Sequence, residues 1–101
     1  MRMLVFFDLP TTTVAERREY SRFRKFLMKN GFVMMQESVY CKLVLNPTAA
    51  EAVMENLRKN KPPRGLIQTM LVTEKQFSRM EYILGESTAE VLNTDERLVV
   101  F

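Results

Sequence analysis

Two helix-start signals, each lying between runs of strand-forming residues, constrain the fold of this chain most. The first, Thr13–Glu16, is a capping box whose threonine and glutamate satisfy free amides at a helix start. The second is the pair Asn46–Pro47, a good cap followed by a proline that fits the first helical turn. They predict one helix over about 13–30, ended by Gly31 in a left-handed conformation, and a second over about 47–59.

Three apolar stretches rich in β-branched and aromatic residues surround these helices, at 3–7, 32–45 and 66–72. The middle stretch is long for one strand, and the polar run Gln36–Ser38 interrupts it. It therefore predicts two strands joined by a tight turn or bulge, the second from Val39 to Leu45. The resulting order predicts an α+β domain with a ferredoxin-like βαββαβ arrangement on an antiparallel sheet.

The chain beyond this pattern predicts further elements. A second capping box predicts a short helical turn over Thr73–Met80, and Glu81–Leu84 has the composition of a short strand. We assign residues 1–84 to the ferredoxin-like domain and 85–101 to a C-terminal extension. The extension ends in an extra strand that is expected to contact a dimer partner or another protein; the alternative is pairing within its own subunit. Its residues are Arg97, Leu98, Val99, Val100 and Phe101.

Composition excludes several kinds of chemistry. The chain has no histidine, which excludes histidine general bases, histidine metal ligands and Ser-His or Cys-His pairs. Cys41 is the single cysteine, so no internal disulfide forms, as suits a reducing cytoplasm. With 101 residues the core is modest, which favours a homodimer. No apolar run has the length of a membrane span, so we expect a cytoplasmic protein without membrane contact.

Asp8 is the candidate metal ligand and catalytic residue. It follows the first predicted strand, where its carboxylate reaches the rim of the sheet. Mg²⁺ commonly binds one or two protein carboxylates together with water and substrate phosphate. One aspartate is a thin ligand set, but a two-fold dimer would supply a second copy across its axis. The alternative is a turn aspartate that bonds a backbone amide.

Two groups of basic residues are candidates for nucleic-acid binding. The first forms a stripe along one side of the first helix, with spacings of four, three and four residues, and is hereafter the basic stripe. The second lies in a proline-stiffened loop after the second helix. The alternatives are a solvated helix face and a complement to the helix dipole. The residues are Arg18, Arg22, Lys25 and Lys29 in the stripe, and Lys61 and Arg64 in the loop.

These features together resemble the CRISPR-associated protein Two family, the small subunit of CRISPR adaptation. The matching motifs are the strand 4–8 ending in aspartate, the basic helix closing in Asn30–Gly31, and the run 36–40, which is similar to a Gln-x-Ser-Val-aromatic signature. The segments 73–77 and 95–99 look like the variant that accompanies Cas9-type systems. The resemblance covers essentially the whole chain.

The resemblance implies a ferredoxin-like homodimer in which Asp8 of each subunit contributes to a Mg²⁺ site, with Mn²⁺ as the alternative ion. It implies a metal-dependent endonuclease that acts on RNA or duplex DNA. It also implies a partner, the adaptation integrase (CRISPR-associated protein One), and a spacer duplex held by the dimer. Phe7 departs from the tyrosine common before the aspartate, and Tyr40 from a frequent phenylalanine.

Two functions compete on these grounds. One is a dimeric scaffold that binds duplex DNA for spacer acquisition, and the other is a magnesium-dependent nuclease centred on Asp8. We favour the scaffold as the main role, with cleavage as an associated activity. A toxin-like ribonuclease of the same fold is the alternative, because fold alone does not determine function.

Overall fold

The order of strands and helices is visible in a computed structural model that describes residues 1–86. Within that range the first six elements follow the order β-α-β-β-α-β, so the predicted ferredoxin-like α+β class is confirmed. The terminal strand predicted at 97–101 and most of the 85–101 extension lie outside the described residues. The elements are β1 (Arg2–Asp8), α1 (Val14–Lys29), β2 (Val33–Gln36), β3 (Val39–Leu43), α2 (Pro47–Lys59), β4 (Leu66–Val72) and α3 (Glu74–Ser78).

Strand β1 lies inside a four-stranded sheet of order β2-β3-β1-β4 and runs antiparallel to both neighbours. Its register places Phe6 opposite Val39 on one side and Gln68 on the other. Asp8 is the last paired residue and lies opposite Leu66, the first residue of β4. Strands β2 and β4 form the two edges of the sheet as described.

The predicted interruption in the second apolar stretch is confirmed. A two-residue turn at Glu37–Ser38 separates β2 from β3, and the register shifts between Met34 and Gln36. The turn lies beside the end of β1, because the Phe7 amide donates to the Ser38 carbonyl at 3.1 Å. The β2–β3 turn and the Asp8 end of β1 therefore share one end of the sheet.

Helices α1 and α2 cover one face of the sheet and enclose the main core. Both predicted caps are present: Thr13 and Glu16 bond each other's backbone reciprocally, and Asn46 accepts from the Ala49 amide. Gly31 has φ +90°, the left-handed conformation expected at the end of α1. The buried core residues are Met3, Val5, Phe7, Leu9, Phe23, Leu27, Phe32, Tyr40, Val44, Ala50 and Leu57.

The opposite face, hereafter the open face, has no long helix on it within the described residues. Alternation along β1 places Leu4, Phe6 and Asp8 on this face. The register adds Leu66 and Met70 of β4, which are 55% and 54% exposed. Beside Leu4 on the neighbouring strand lies Cys41 of β3, and both residues are buried, so β1 is covered on both faces near its middle.

Two predictions about segments need correction. Glu81–Leu84 forms no strand: Ile83 and Leu84 are 87% and 94% exposed, because no sheet edge within residues 1–86 pairs with them. Strand β3 ends at Leu43, short of Leu45: the Val44 amide makes one more hydrogen bond in the same register, to the Met1 carbonyl, and Leu45 beyond it is 87% exposed.

Helix α2 contributes Ala50 and Leu57 to the core, and Ala49 is only partly covered. Val53 and Met54 pack against the same core. Among the residues described, no helix is long and apolar enough to cross a membrane.

Candidate functional site

Asp8 ends β1 with an exposed carboxylate at the rim of the open face. Its backbone is held by pairing with Leu66, yet within residues 1–86 its carboxylate has no hydrogen-bond or ion-pair partner. A turn aspartate of the alternative kind would bond a nearby amide, and none does so here. The structure therefore leaves this carboxylate available to a ligand.

The loop after Asp8 is fixed by hydrogen bonds from α1. The Glu16 carboxylate accepts from the Thr12 and Thr13 amides at 2.9 and 3.0 Å. The backbone hydrogen bond from Thr13 is the main cause that lowers the pKa of Glu16 below its ordinary value. From the other side, the Arg17 guanidinium donates to the Thr11 and Thr12 carbonyls at 3.1 and 2.9 Å. The chain that leaves the site is therefore held at both its amides and its carbonyls.

Sequence reasoning missed Arg17, whose signal was its place directly after the capping box, one turn from the loop it bonds. It also missed Arg24, whose Nε donates to the Tyr40 hydroxyl at 2.9 Å. This bond raises the pKa of Arg24 and satisfies a hydroxyl carried by a fully buried residue. The tyrosine at position 40 is thus accommodated by an arginine on the neighbouring helix, and Phe7 packs against its ring at 5.6 Å between centroids.

The other end of the open face is covered by α3. Arg2 donates from Nε to the two carboxylate oxygens of Glu74 at 3.1 and 3.2 Å. Its guanidinium also lies over the Phe77 ring, 4.3 Å from the centroid. Phe77 packs against the small cluster formed by Leu4 and Cys41, where burial raises the pKa of the Cys41 thiol. The covered end leaves the Asp8 end of the open face as the accessible part.

The predicted basic stripe lies along the exposed side of α1, away from Phe23 and Leu27. Within the described range, Arg18, Lys25 and Lys29 have no hydrogen-bond or ion-pair partner. Arg22 differs from them, because it bonds Glu19 at 2.9 Å and the Asn60 carbonyl at 3.2 Å. Three of the four stripe residues are therefore available to an anion, and Arg22 also holds α1 to the loop after α2.

The two predicted basic residues of the loop, Lys61 and Arg64, have partners among the described residues, unlike three of the four residues of the basic stripe. Lys61 donates from Nζ to the Arg58 carbonyl at 3.3 Å, and Arg64 lies 3.9 Å from Glu16. Pro62 is buried, which fixes the middle of the loop. Lys61 and Arg64 are both exposed, and Arg64 lies beside Glu16 in the first turn of α1.

The residues present fit a hard divalent cation only in part. A carboxylate oxygen is the ligand that Mg²⁺ prefers, and the free, exposed Asp8 offers one. Among residues 1–86, however, no group of three acidic, cysteine or histidine side chains could hold a metal ion. One chain thus supplies a single carboxylate, and a fuller ligand set requires a second subunit, water or substrate phosphate.

Comparison with known proteins gives consistent matches. The family model described as CRISPR associated protein Cas2 matches residues 1–80. The CRISPR-associated endoribonuclease Cas2 of Treponema denticola is 58% identical over 100 residues, covering 99% of each chain. That of Streptococcus mutans UA159 is 50% identical over 99 residues, covering 98% of this chain and 91% of the relative. The crystal structure of Streptococcus pyogenes Cas2 at pH 6.5 matches with a TM-score of 0.64 and 26% identity, over 84% of this chain and 100% of that one.

Proposed function

The chain belongs to the Cas2 family of CRISPR-associated proteins, and on that premise we propose that it acts in spacer acquisition as a dimeric scaffold for duplex DNA. The observation that carries this proposal is the basic stripe, in which Arg18, Lys25 and Lys29 lie unpaired among the described residues on an exposed helix face. From Arg18 to Lys29 the helical rise gives a stripe about 16 Å long. Duplex DNA carries one charge about every 1.7 Å of its axis, so several phosphates lie within that length.

The open face supports the homodimer. Leu66 and Met70 expose apolar side chains beside Phe6, and Tyr82, Ile83 and Leu84 expose more in the segment after α3. Exposed apolar side chains in this number on a small domain favour burial against another chain. A second copy across a two-fold axis on the open face would cover it and bring two Asp8 residues to the same interface.

The integrase would bind through the C-terminal residues 97–101, as expected from their apolar, strand-forming composition. The outer edge of β4 is unpaired within residues 1–86 and would be the natural acceptor for an added strand. Removing 97–101 should weaken assembly with the integrase, measured by co-purification and analytical gel filtration. Assembly at the wild-type level would remove this part of the proposal.

Metal-dependent endonuclease activity is the associated role. Asp8 would hold Mg²⁺, or Mn²⁺ as the alternative, which when bound supplies activated water and neutralises charge on the phosphate. Relatives that cover nearly the whole chain are named endoribonucleases, which supports RNA as a substrate beside duplex DNA. The same family membership favours adaptation over the toxin-like ribonuclease.

Spacer integration in a reconstituted mixture tests these roles together. The cognate integrase and a duplex are combined with wild type, with Asp8→Ala, or with neither. If integration occurs with wild type and with Asp8→Ala alike, but not when both are left out, the chain is a scaffold whose aspartate is dispensable for insertion. Integration that proceeds equally without the protein would contradict the scaffold.

Salt dependence tests the phosphate contacts directly. Replacing Arg18, Lys25 and Lys29 with alanine should lower the slope of log affinity against log salt by about 3 for each protomer whose stripe contacts the duplex. Arg58→Ala is the matched control, because Arg58 is paired with Glu51 and Glu55 at 3.1 and 3.0 Å. An unchanged slope in the triple variant would show that the basic stripe does not contact phosphate.

A further inference from the structure

Gly65 lies against the backbone of the candidate metal ligand. It ends the proline-containing loop and precedes Leu66, the residue paired with Asp8. Its φ is +116°, a conformation that residues with a side chain rarely adopt. A Cβ added here would lie 2.9 Å from the Asp8 carbonyl oxygen and 3.2 Å from the Leu9 Cα. Both distances are shorter than ordinary van der Waals contact, so the glycine permits a close approach of two backbones.

The neighbours of Gly65 leave little room for adjustment. The same Cβ would lie 2.6 Å from a methyl carbon of Leu9, whose side chain is in the core with 8% of the residue exposed. On the other side, Pro62 is buried and Pro63 restricts the backbone of the loop. A displacement caused at position 65 is therefore transmitted to the peptide between Asp8 and Leu9.

We propose that Gly65 is a positioning residue for the Asp8 carboxylate: its missing side chain sets where the end of β1 lies, and so where the metal ligand lies. This inference rests on the proposed role of Asp8. The Asp8 side chain has no partner among the described residues that would hold it in place, so its position follows its backbone. In a two-fold dimer the displacement would occur in both subunits, and the distance between the carboxylates would change twice over.

Gly31 provides a matched control. It also has a positive φ, +90°, so alanine there introduces the same kind of backbone strain. Its added Cβ would meet only Lys42, at 2.6 Å from the Nζ atom at the far end of a flexible side chain. Gly31→Ala therefore tests strain at a glycine, and Gly65→Ala tests strain combined with contact against the Asp8 backbone.

The first measurement needs no metal. Amide chemical shifts in ¹H–¹⁵N spectra of wild type, Gly65→Ala and Gly31→Ala report the backbone at Asp8 and Leu9. We expect shift changes at these two amides in Gly65→Ala and none in Gly31→Ala. If the two variants leave the Asp8 and Leu9 amides equally unchanged, Gly65 does not position them and the inference is wrong.

The second measurement is the affinity of the same proteins for Mn²⁺, read from water-proton relaxation. Asp8→Ala is the reference for a protein that lacks the carboxylate ligand. We expect Gly65→Ala to bind Mn²⁺ about tenfold more weakly than wild type, the scale found when a group that orients a metal ligand is lost. Gly31→Ala should bind as wild type. If Gly65→Ala binds Mn²⁺ as tightly as wild type while Asp8→Ala loses binding, the inference about Gly65 is wrong and the proposed metal site stands. Equal affinity of wild type and Asp8→Ala overturns the proposed metal site as well.

A double variant tests the backbone contact separately if Gly65→Ala alone reduces the fraction of folded protein. Combining it with Leu9→Ala removes the 2.6 Å side-chain contact and leaves the contact with the Asp8 carbonyl. Compared with Leu9→Ala alone, the double variant should still bind Mn²⁺ about tenfold more weakly. Equal binding by these two proteins would show that the backbone contact does not position the ligand.

Discussion

At one end of β1, the Arg2 side chain is 10% exposed and is bonded to Glu74 under the ring of Phe77. At the other end, Asp8 is exposed and has no partner within residues 1–86. Both are charged residues on the open face of the same strand, six positions apart in sequence. The first has the contacts of a structural residue, which α3 holds in place. The second has the availability expected of a residue that binds something outside its own chain.

The difference divides the open face into a covered end and an accessible end. Helix α3 covers the Arg2 end through Phe77 and thereby adds contacts to a small core. It leaves the Asp8 end uncovered, where the exposed Leu66 side chain lies on the strand beside Asp8. The surface proposed for dimerisation therefore includes the end that carries the free carboxylate. Substitutions at the two ends should have opposite consequences, one for activity and one for stability.

The largest expected effect is on cleavage by Asp8→Ala. Removing the Asp8 carboxylate should cost several kcal/mol of transition-state stabilisation, or about a hundredfold or more in rate. The free energy of unfolding should change by less than about 0.5 kcal/mol, because the exposed side chain has no hydrogen-bond or ion-pair partner among residues 1–86 to lose. Rates of RNA cleavage in Mg²⁺ and urea denaturation measure the two quantities. Cleavage at the wild-type rate would show that the free carboxylate is not catalytic.

The second effect is on stability by Arg2→Ala, which should lower the free energy of unfolding by about 1–3 kcal/mol. The variant loses the hydrogen bonds to Glu74 and the contact with Phe77, and leaves the apolar cluster below more exposed. Urea denaturation beside Asp8→Ala gives a direct comparison of the two ends. Equal free energies of unfolding for Arg2→Ala and Asp8→Ala would mean that the contacts of Arg2 contribute nothing to stability. The two ends of β1 would then not differ in what they contribute to the fold.

Much of the fold could be predicted from the sequence, because its signals are local. The Thr13 and Asn46 caps and the turn after Gln36 each lie within a few residues of the feature they specify. The strand predicted at Glu81–Leu84 was wrong because strand propensity supplies no pairing partner. Propensity describes a segment, whereas a strand also requires a neighbouring edge.

The candidate site could be predicted only in part, for a related reason. The position of Asp8 at a strand end follows from the apolar run before it and from Pro10 after it. Its freedom from internal partners, and the close approach of Gly65, depend on segments far apart in sequence. The contact between Arg2 and Glu74 spans 72 positions and has no local signal. Contacts of this kind distinguish a structural charge from an available one.

A third, smaller effect isolates the ring above Arg2. Phe77→Leu keeps an apolar side chain in the Leu4 cluster but removes the face over which the guanidinium lies, 4.3 Å from the centroid. We expect a loss of about 0.5–1 kcal/mol in the free energy of unfolding. The same substitution made in Arg2→Ala should cost less, and the double-mutant cycle measures that difference. An additive cycle would show that the cation and the ring are not coupled.

The smallest effect concerns acid, and it tests how the loop after Asp8 is held. The hydrogen bonds from Thr13 and Thr12 lower the pKa of Glu16 in the folded chain from the ordinary 4.5. The stability that the carboxylate contributes is therefore fully present above pH 4.5 and is lost as pH falls through the lower folded value.

Glu16→Gln keeps a side-chain oxygen for the same amides and has no titrating group. The stability of wild type relative to Glu16→Gln, followed by urea denaturation from pH 6 to about pH 3, should fall below pH 4.5. A difference that stays constant across this range would show that the ionised carboxylate does not hold the loop, and that the exposed end of β1 relies on its strand pairing and Arg17 instead.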